Sequence, residues 1–210
     1  MGTRAERHLR SITLARDCAD LGARIRTIHC LTGLPPREIQ RLFFDDPQPI
    51  PRGRPPDSPE WYHSANLLNR TDASIFACTY HRLRRSDIAA AEALVGAYRH
   101  YRMVCQAPYR ISFDRAFDLA AHTDGIWIAR SPSFEVVTCP SCASEFLAAI
   151  GTVPESDACP FCKLVRRYGH DRRVQTSFPT HPMPDRTALH NGVMALYFAA
   201  AAANGESPPA

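Results

Sequence analysis

Four cysteines stand in two pairs, Cys139-Pro-Ser-Cys142 and Cys159-Pro-Phe-Cys162, with sixteen residues between them. A Cys-x-x-Cys turn sets two thiolates on one side of a metal ion, and two such turns complete a tetrahedron of soft ligands. Four thiolates leave no open position for water or substrate. The spacing therefore predicts one structural Zn2+ per chain, held by Cys139, Cys142, Cys159 and Cys162. A redox dithiol would need only one pair, and the spacing fits neither ferredoxin pattern of an iron–sulphur cluster. Cys18, Cys30, Cys78 and Cys105 fall at no ligand spacing and read as small buried hydrophobes.

A second set of residues could meet nucleic acid. The chain carries 25 Lys+Arg against 21 Asp+Glu, a net charge of +4. Its only lysine is Lys163; all other cations of this kind are arginine. The planar guanidinium suits phosphate and guanine through paired hydrogen bonds. Between Lys163 and Arg173 the cations Lys163, Arg166, Arg167, Arg172 and Arg173 face one acid, Asp171. Arg166, Arg167, Arg172 and Arg173 are candidate phosphate contacts; a solvated tail is the competing reading. Around Gly33 two helical segments meet as in a helix-turn-helix. Leu34, Ile39 and Leu42 would anchor the second, and Arg37, Gln40 and Arg41 would face outward, where such side chains can read base edges. An ordinary αα-hairpin with solvated arginines explains the same pattern, and His29 stands where a small residue is usual. No catalytic set emerges: the nine histidines have no Ser or Cys partner in a recognisable motif, HExxH is absent, and no Gly-rich phosphate loop occurs.

The elements that must position these residues are mostly helices. Apolar periodicity predicts a helix over 8–31, a second over 34–42, helices across 61–84 and 88–105, and one from Ser112 to His122 stopped by Gly125. Tyr98 and Tyr101 read as rings packed by an amphipathic helix. The stretch 47–60 is too proline-rich for regular structure. Ile126–Ile128 and Phe134–Thr138 are β-prone runs leading to the cysteines. The expected fold class is mainly α. It comprises a helical part over 1–125 with a helix-turn-helix-like hairpin, a small four-cysteine zinc-binding part over 126–168 with short β-strands, and a basic, then Pro/Ala-rich, partly disordered tail over 169–210. The N-terminus lacks the apolar core of a secretory signal, and the longest apolar run, 193–203, is too short to span a bilayer. A cytoplasmic location with reduced cysteines follows, which favours metal over disulfides.

Several segments, taken in order, resemble the FlhC family of bacterial flagellar transcriptional activators: Leu21-Gly22-Ala23-Arg24, Ser58-Pro59-Glu60-Trp61-Tyr62, Ala73-Ser74-Ile75-Phe76, Ala97-Tyr98-Arg99-His100-Tyr101, Phe113-Asp114-Arg115-Ala116-Phe117, and the two cysteine pairs. The resemblance runs from about Ala15 to Cys162. It implies a mostly helical chain with a zinc-binding C-terminal part and no enzymatic activity. It also implies assembly with an FlhD-like subunit into a ring-shaped hexamer of four FlhD and two FlhC, binding to promoter double-stranded DNA upstream of flagellar operons, and recruitment of RNA polymerase. The family's zinc ligands match Cys139, Cys142, Cys159 and Cys162. A zinc-ribbon adaptor that binds only proteins, and a thiol-based redox sensor, are the alternative functions.

Overall fold

The computed structural model describes residues 3–44, 60–152 and 159–178. The proline-rich stretch up to residue 59 and the tail from residue 179 lie outside these. The described residues all belong to one compact unit, Met1–Phe178.

Helix α1 (Arg4–Asp20) begins on a capping box: Thr3 Oγ1 accepts from the Glu6 amide at 3.2 Å, and the Glu6 carboxylate accepts from the Thr3 amide at 2.6 Å. This satisfies two amides that the first turn would leave orphaned. The single helix expected over 8–31 is in fact two. Gly22 adopts a left-handed φ of 83°, the Ala23 amide folds back onto the Cys18 carbonyl, and α2 starts afresh at Ile25 and runs to Thr32. The start of α2 has no side-chain cap of its own. Asp114, ninety residues away, supplies it by accepting from the Arg24 amide at 3.2 Å and the Thr27 hydroxyl at 2.6 Å. A carboxylate there also meets the positive end of the helix dipole.

Gly33, again left-handed, ends α2, and Pro36 opens α3 (Pro36–Phe43) at a position that needs no amide donor. His29 Nδ1 bonds the Leu34 carbonyl at 2.7 Å and the Leu34 amide donates to Thr32 Oγ1, so the histidine that sits oddly in the sequence clasps the turn. Ile39 and Leu34 are buried anchors, as expected. Leu42 is not: it is 44% exposed. Phe43, one helical turn beyond Ile39, packs on the core in its place, and Leu42 is rotated off that face.

Helix α4 (Glu60–His63) is short, and Asn66 caps the long central α5 (Leu67–Arg85). Helix α6 (Ala90–Val104) packs along α5. The pairs Arg10–Glu92 and Asp17–Arg99 advance by the same step on both helices, so α1 lies parallel to α6. Tyr98 and Tyr101 are buried. The Tyr101 hydroxyl donates to Asp72 Oδ2 at 2.9 Å and accepts from the Arg110 and Ile111 amides at 3.1 and 3.3 Å. Arg110 completes the group at 3.2 Å from the Asp72 carboxylate. Helix α7 (Phe113–Asp124) starts on the Ser112 cap and ends at left-handed Gly125, where an added Cβ would lie 2.6 Å from Pro132 Cδ.

Ile126–Ile128 forms a turn, not a strand: the Ala129 amide closes on the Ile126 carbonyl, and Trp127 stacks on Phe117. Strands β1 (Phe134–Thr138) and β2 (Glu145–Ala149) pair antiparallel from Phe134↔Ala149 to Thr138↔Glu145. Alternation gives the hairpin two apolar faces. Phe134 and Leu147 join the helical core, and Phe146 and Ala148 form a smaller cluster with Cys139 and Cys159. Tyr62 ties the hairpin to α4 by donating to the Leu147 carbonyl at 2.6 Å. Helix α8 (Pro160–Tyr168) packs on α5 and is followed by α9 (Arg172–Ser177). The protein is mainly helical with a small two-stranded sheet. Among the described residues, no helix is long and apolar enough to cross a membrane.

Candidate metal centre

The turn joining β1 to β2 brings Cys139 and Cys142 together. The Ala143 amide bonds the Cys139 carbonyl, and the Cys139 amide bonds the Ser144 carbonyl, each at 2.9 Å. Cys159 is the N-cap of α8 and Cys162 lies in its first turn, with Pro160 at the start fixing the helical φ. A β-hairpin knuckle and a helix N-terminus thus face each other.

Their sulphurs converge. Cys139 Sγ lies 3.8 Å from Cys162 Sγ, Cys142 Sγ lies 3.8 Å from Cys159 Sγ, and all four are within 4.8 Å of one another. A tetrahedral ion with metal–sulphur bonds of ~2.3 Å has ligand–ligand edges of about 3.8 Å. The donor set and its dimensions therefore fit one tetrahedral, thiophilic ion. Cys139 and Cys159 are buried, Cys162 half-buried and Cys142 exposed.

Local donors divide the charge among the sulphurs. Amide hydrogen bonds, from Cys142 first and also from Ser141, hold the Cys139 thiol below its ordinary range. The Ser141 amide lies 3.4 Å from that sulphur. The Ser144 side chain and amide bring Cys142 down to about 6. Burial raises Cys159. The neighbouring Cys142 sulphur, and then burial, push Cys162 up to about 12. Local donors thus favour the charged form at Cys139 and Cys142, and a bound cation would favour it at all four. Ligand spacing alone does not single out Ser141 and Ser144; the polar residues inside and just after the first cysteine pair were the available signal.

The other four cysteines stand apart from this cluster. Cys18, Cys78 and Cys105 are buried as expected, and burial pushes each thiol up to about 12. Cys30, expected to be buried, is only half so, because it sits near the end of the short α2.

The basic stretch after the cysteines falls on two short helices, the end of α8 and the start of α9. Arg166 and Arg167 are exposed in the last turn of α8, and Arg172 and Arg173 are exposed in the first turn of α9. Asp171 caps α9 by accepting from the Arg173 amide at 2.9 Å, Val174 is buried beneath it, and Gln175 donates back to the Tyr168 carbonyl at 2.7 Å. Sequence periodicity does not anticipate α8, because Pro160 reads as part of the cysteine knuckle; proline at a first helical position was the signal. Arg37, Gln40 and Arg41 are exposed on α3 around buried Ile39. The structure thus brings the four cysteines into one cluster and sets the seven polar candidates on two supports. Helix α3 rests on α1 and α2, and α8 rests on α5 and α9.

A family model described as the flagellar transcriptional activator FlhC matches residues 5–175. The match covers α1 through most of α9, and so includes the cysteine cluster and all seven polar candidates. No curated protein was found to match the chain.

Proposed function

The chain belongs to the FlhC family of flagellar transcriptional activators, and from that premise we propose that it is the DNA-binding, non-enzymatic subunit of a cytoplasmic activator complex. With an FlhD-like partner, as four copies of the partner and two of this chain, it binds promoter DNA upstream of flagellar operons and recruits RNA polymerase. The observation that carries this reading is the family match across a structure whose four-cysteine cluster leads directly into a helix with exposed arginines.

The ion proposed for the cluster is Zn2+, which suits four thiolates and supplies no open coordination site. When bound it would fasten the 139–142 knuckle to the start of α8, contributing on the order of 10 kcal/mol to folding of such a module. The residues of the chain do the rest. Pro160 and the amides of the first turn of α8 set the helix direction. Arg166, Arg167, Arg172 and Arg173 then project from two consecutive helices toward phosphates, and contacts of this kind position a protein without reading sequence. Arg37, Gln40 and Arg41 project from α3, whose buried Ile39 and left-handed Gly33 fix its presentation. Gln40 can pair with adenine and the arginines with guanine.

Quantitative binding by the assembled complex tests these roles. Arg167→Ala should weaken binding to promoter and random DNA by the same factor. Gln40→Ala should change the preference between them, and an unchanged preference would remove α3 from base readout. A complex that assembles but binds no DNA would make the chain a protein adaptor instead.

A further inference from the structure

We propose that Cys142 is the oxidant-reactive ligand of the metal centre: a peroxide converts it to a sulfenic acid, and Cys159 then closes a Cys142–Cys159 disulfide that frees the ion. The four ligands are not equally enclosed. Cys139 and Cys159 are 1% and 0% exposed, Cys162 is half-buried and Cys142 is exposed. Cys142 and, less openly, Cys162 border an open groove of about 730 Å³, whose walls include Ser141, Phe161, Val165 and Arg166. One liquid water takes ~30 Å³, so a molecule as small as hydrogen peroxide enters the groove freely.

Access decides the order of events. A thiolate is both the metal ligand and the nucleophile, and among thiolates oxidation follows exposure. The Cys142 sulphur attacks one peroxide oxygen: an S–O bond forms, the O–O bond breaks, and hydroxide leaves. The sulphur loses two electrons and the peroxide gains them. Cys159 is shielded from the peroxide but not from Cys142, whose sulphur is 3.8 Å away. Cys139 is instead set beside Cys162, also at 3.8 Å. The Cys159 sulphur attacks the oxidised one: an S–S bond forms, the S–O bond breaks, and a second hydroxide leaves. Two thiolates and one peroxide become one disulfide and two hydroxides.

Only Cys139 and Cys162 then remain as ligands, and a tetrahedral ion that needs four is lost. The disulfide joins the hairpin knuckle to the N-cap of α8, the same two elements that the ion joins. Oxidation therefore exchanges a metal fastening for a covalent one, and a thiol reductant with fresh metal reverses it. This inference rests on the metal reading of the cluster and is independent of DNA binding.

The test uses the full chain loaded with zinc, hydrogen peroxide as oxidant, a zinc-binding dye, and dimedone to trap sulfenic acid. Peroxide should release the bound zinc. Peptide mass spectrometry should find the dimedone adduct on Cys142 on the order of tenfold ahead of Cys139 or Cys159. Without dimedone it should find a Cys142–Cys159 disulfide, and a thiol reductant with added zinc should restore the starting metal content. Cys30→Ser, at the half-buried cysteine outside the cluster, should release zinc at the native rate. An adduct first on another ligand, a disulfide between other sulphurs, or zinc release that needs Cys30 would overturn the proposal. Zinc that stays bound under peroxide would overturn it too, while leaving the metal reading intact. A chain that holds no zinc before peroxide is added would refute the metal reading and this proposal together.

Discussion

Replacing Arg172 and Arg173 together by alanine isolates the electrostatic part of the account. Both side chains are exposed. The cap of α9 uses the Arg173 backbone amide, and its buried contact is Val174, so the double variant keeps the features that hold the helix. Alanine also favours helix. The exposed arginines assigned to DNA are Arg37, Arg41, Arg166, Arg167, Arg172 and Arg173. Each neutralised phosphate contributes roughly −0.9 to the slope of log K against log salt, so the native chain should show about −5.4 per bound copy and the variant about −3.6. Doubling the salt from about 0.1 to 0.2 M should then cost about 40-fold in affinity per bound copy of the native chain and only about 12-fold per copy of the variant. Fluorescence anisotropy on a labelled promoter duplex, with the FlhD-like partner present at several salt concentrations, reads both slopes. A native slope near zero, or slopes that agree within about 0.5, would refute phosphate contact by α9.

Three further outcomes follow from the structure. Tyr101→Phe removes a hydroxyl that donates to Asp72 and receives two amides, leaving the buried Ile111 amide without a partner. Urea unfolding should show a loss of about 3 kcal/mol, whereas Tyr109→Phe, at the surface, should change stability by less than about 0.5 kcal/mol. Burial raises the Asp72 carboxyl above its ordinary 3.8, with Arg110 and Tyr101 partly opposing. The folded state thus holds that proton more tightly than the unfolded chain, and the stabilisation is full below about pH 4 and lost as pH rises through the folded value. Asp72→Asn should remove this component, so native-minus-variant stability should fall with rising pH; a flat difference would contradict it. Chelating the metal should release the 159–178 segment first, because Pro160 and Val174 are its only fully buried apolar side chains outside the cluster. Hydrogen exchange should quicken there while α5 and α6 stay protected, and unchanged protection of α8 would contradict the fastening role.

What the sequence made legible was what local chemistry determines. Two Cys-x-x-Cys turns imply a common ion because their geometry is short-range, and the sulphurs do converge. Gly125 stops α7 as expected because a left-handed residue there favours glycine. Distant partners were not legible. Nothing near Arg24 shows that α2 begins there, since its cap is Asp114 on α7. The same holds for α1, where helical periodicity runs through Gly22 and only the left-handed turn divides it. Leu42 and Phe43 are adjacent apolar residues, and which one faces inward depends on the register that Ile39 sets against α1. Helix α8 was masked by chemistry of another kind, since the prolines of the two cysteine pairs look alike in sequence. Pro140 lies in a hairpin turn, whereas Pro160 starts a helix.

The central claim is that a thiolate-bound metal organises an arginine-bearing surface for promoter DNA in company with a partner subunit. The most direct measurement takes the purified chain, alone and with its FlhD-like partner, onto flagellar promoter DNA and random DNA, with zinc quantified in the same sample. The account predicts one zinc per chain and promoter-selective binding that the partner strengthens. One zinc per chain with no DNA binding in either state would contradict it, leaving the metal centre in place and the chain a protein adaptor.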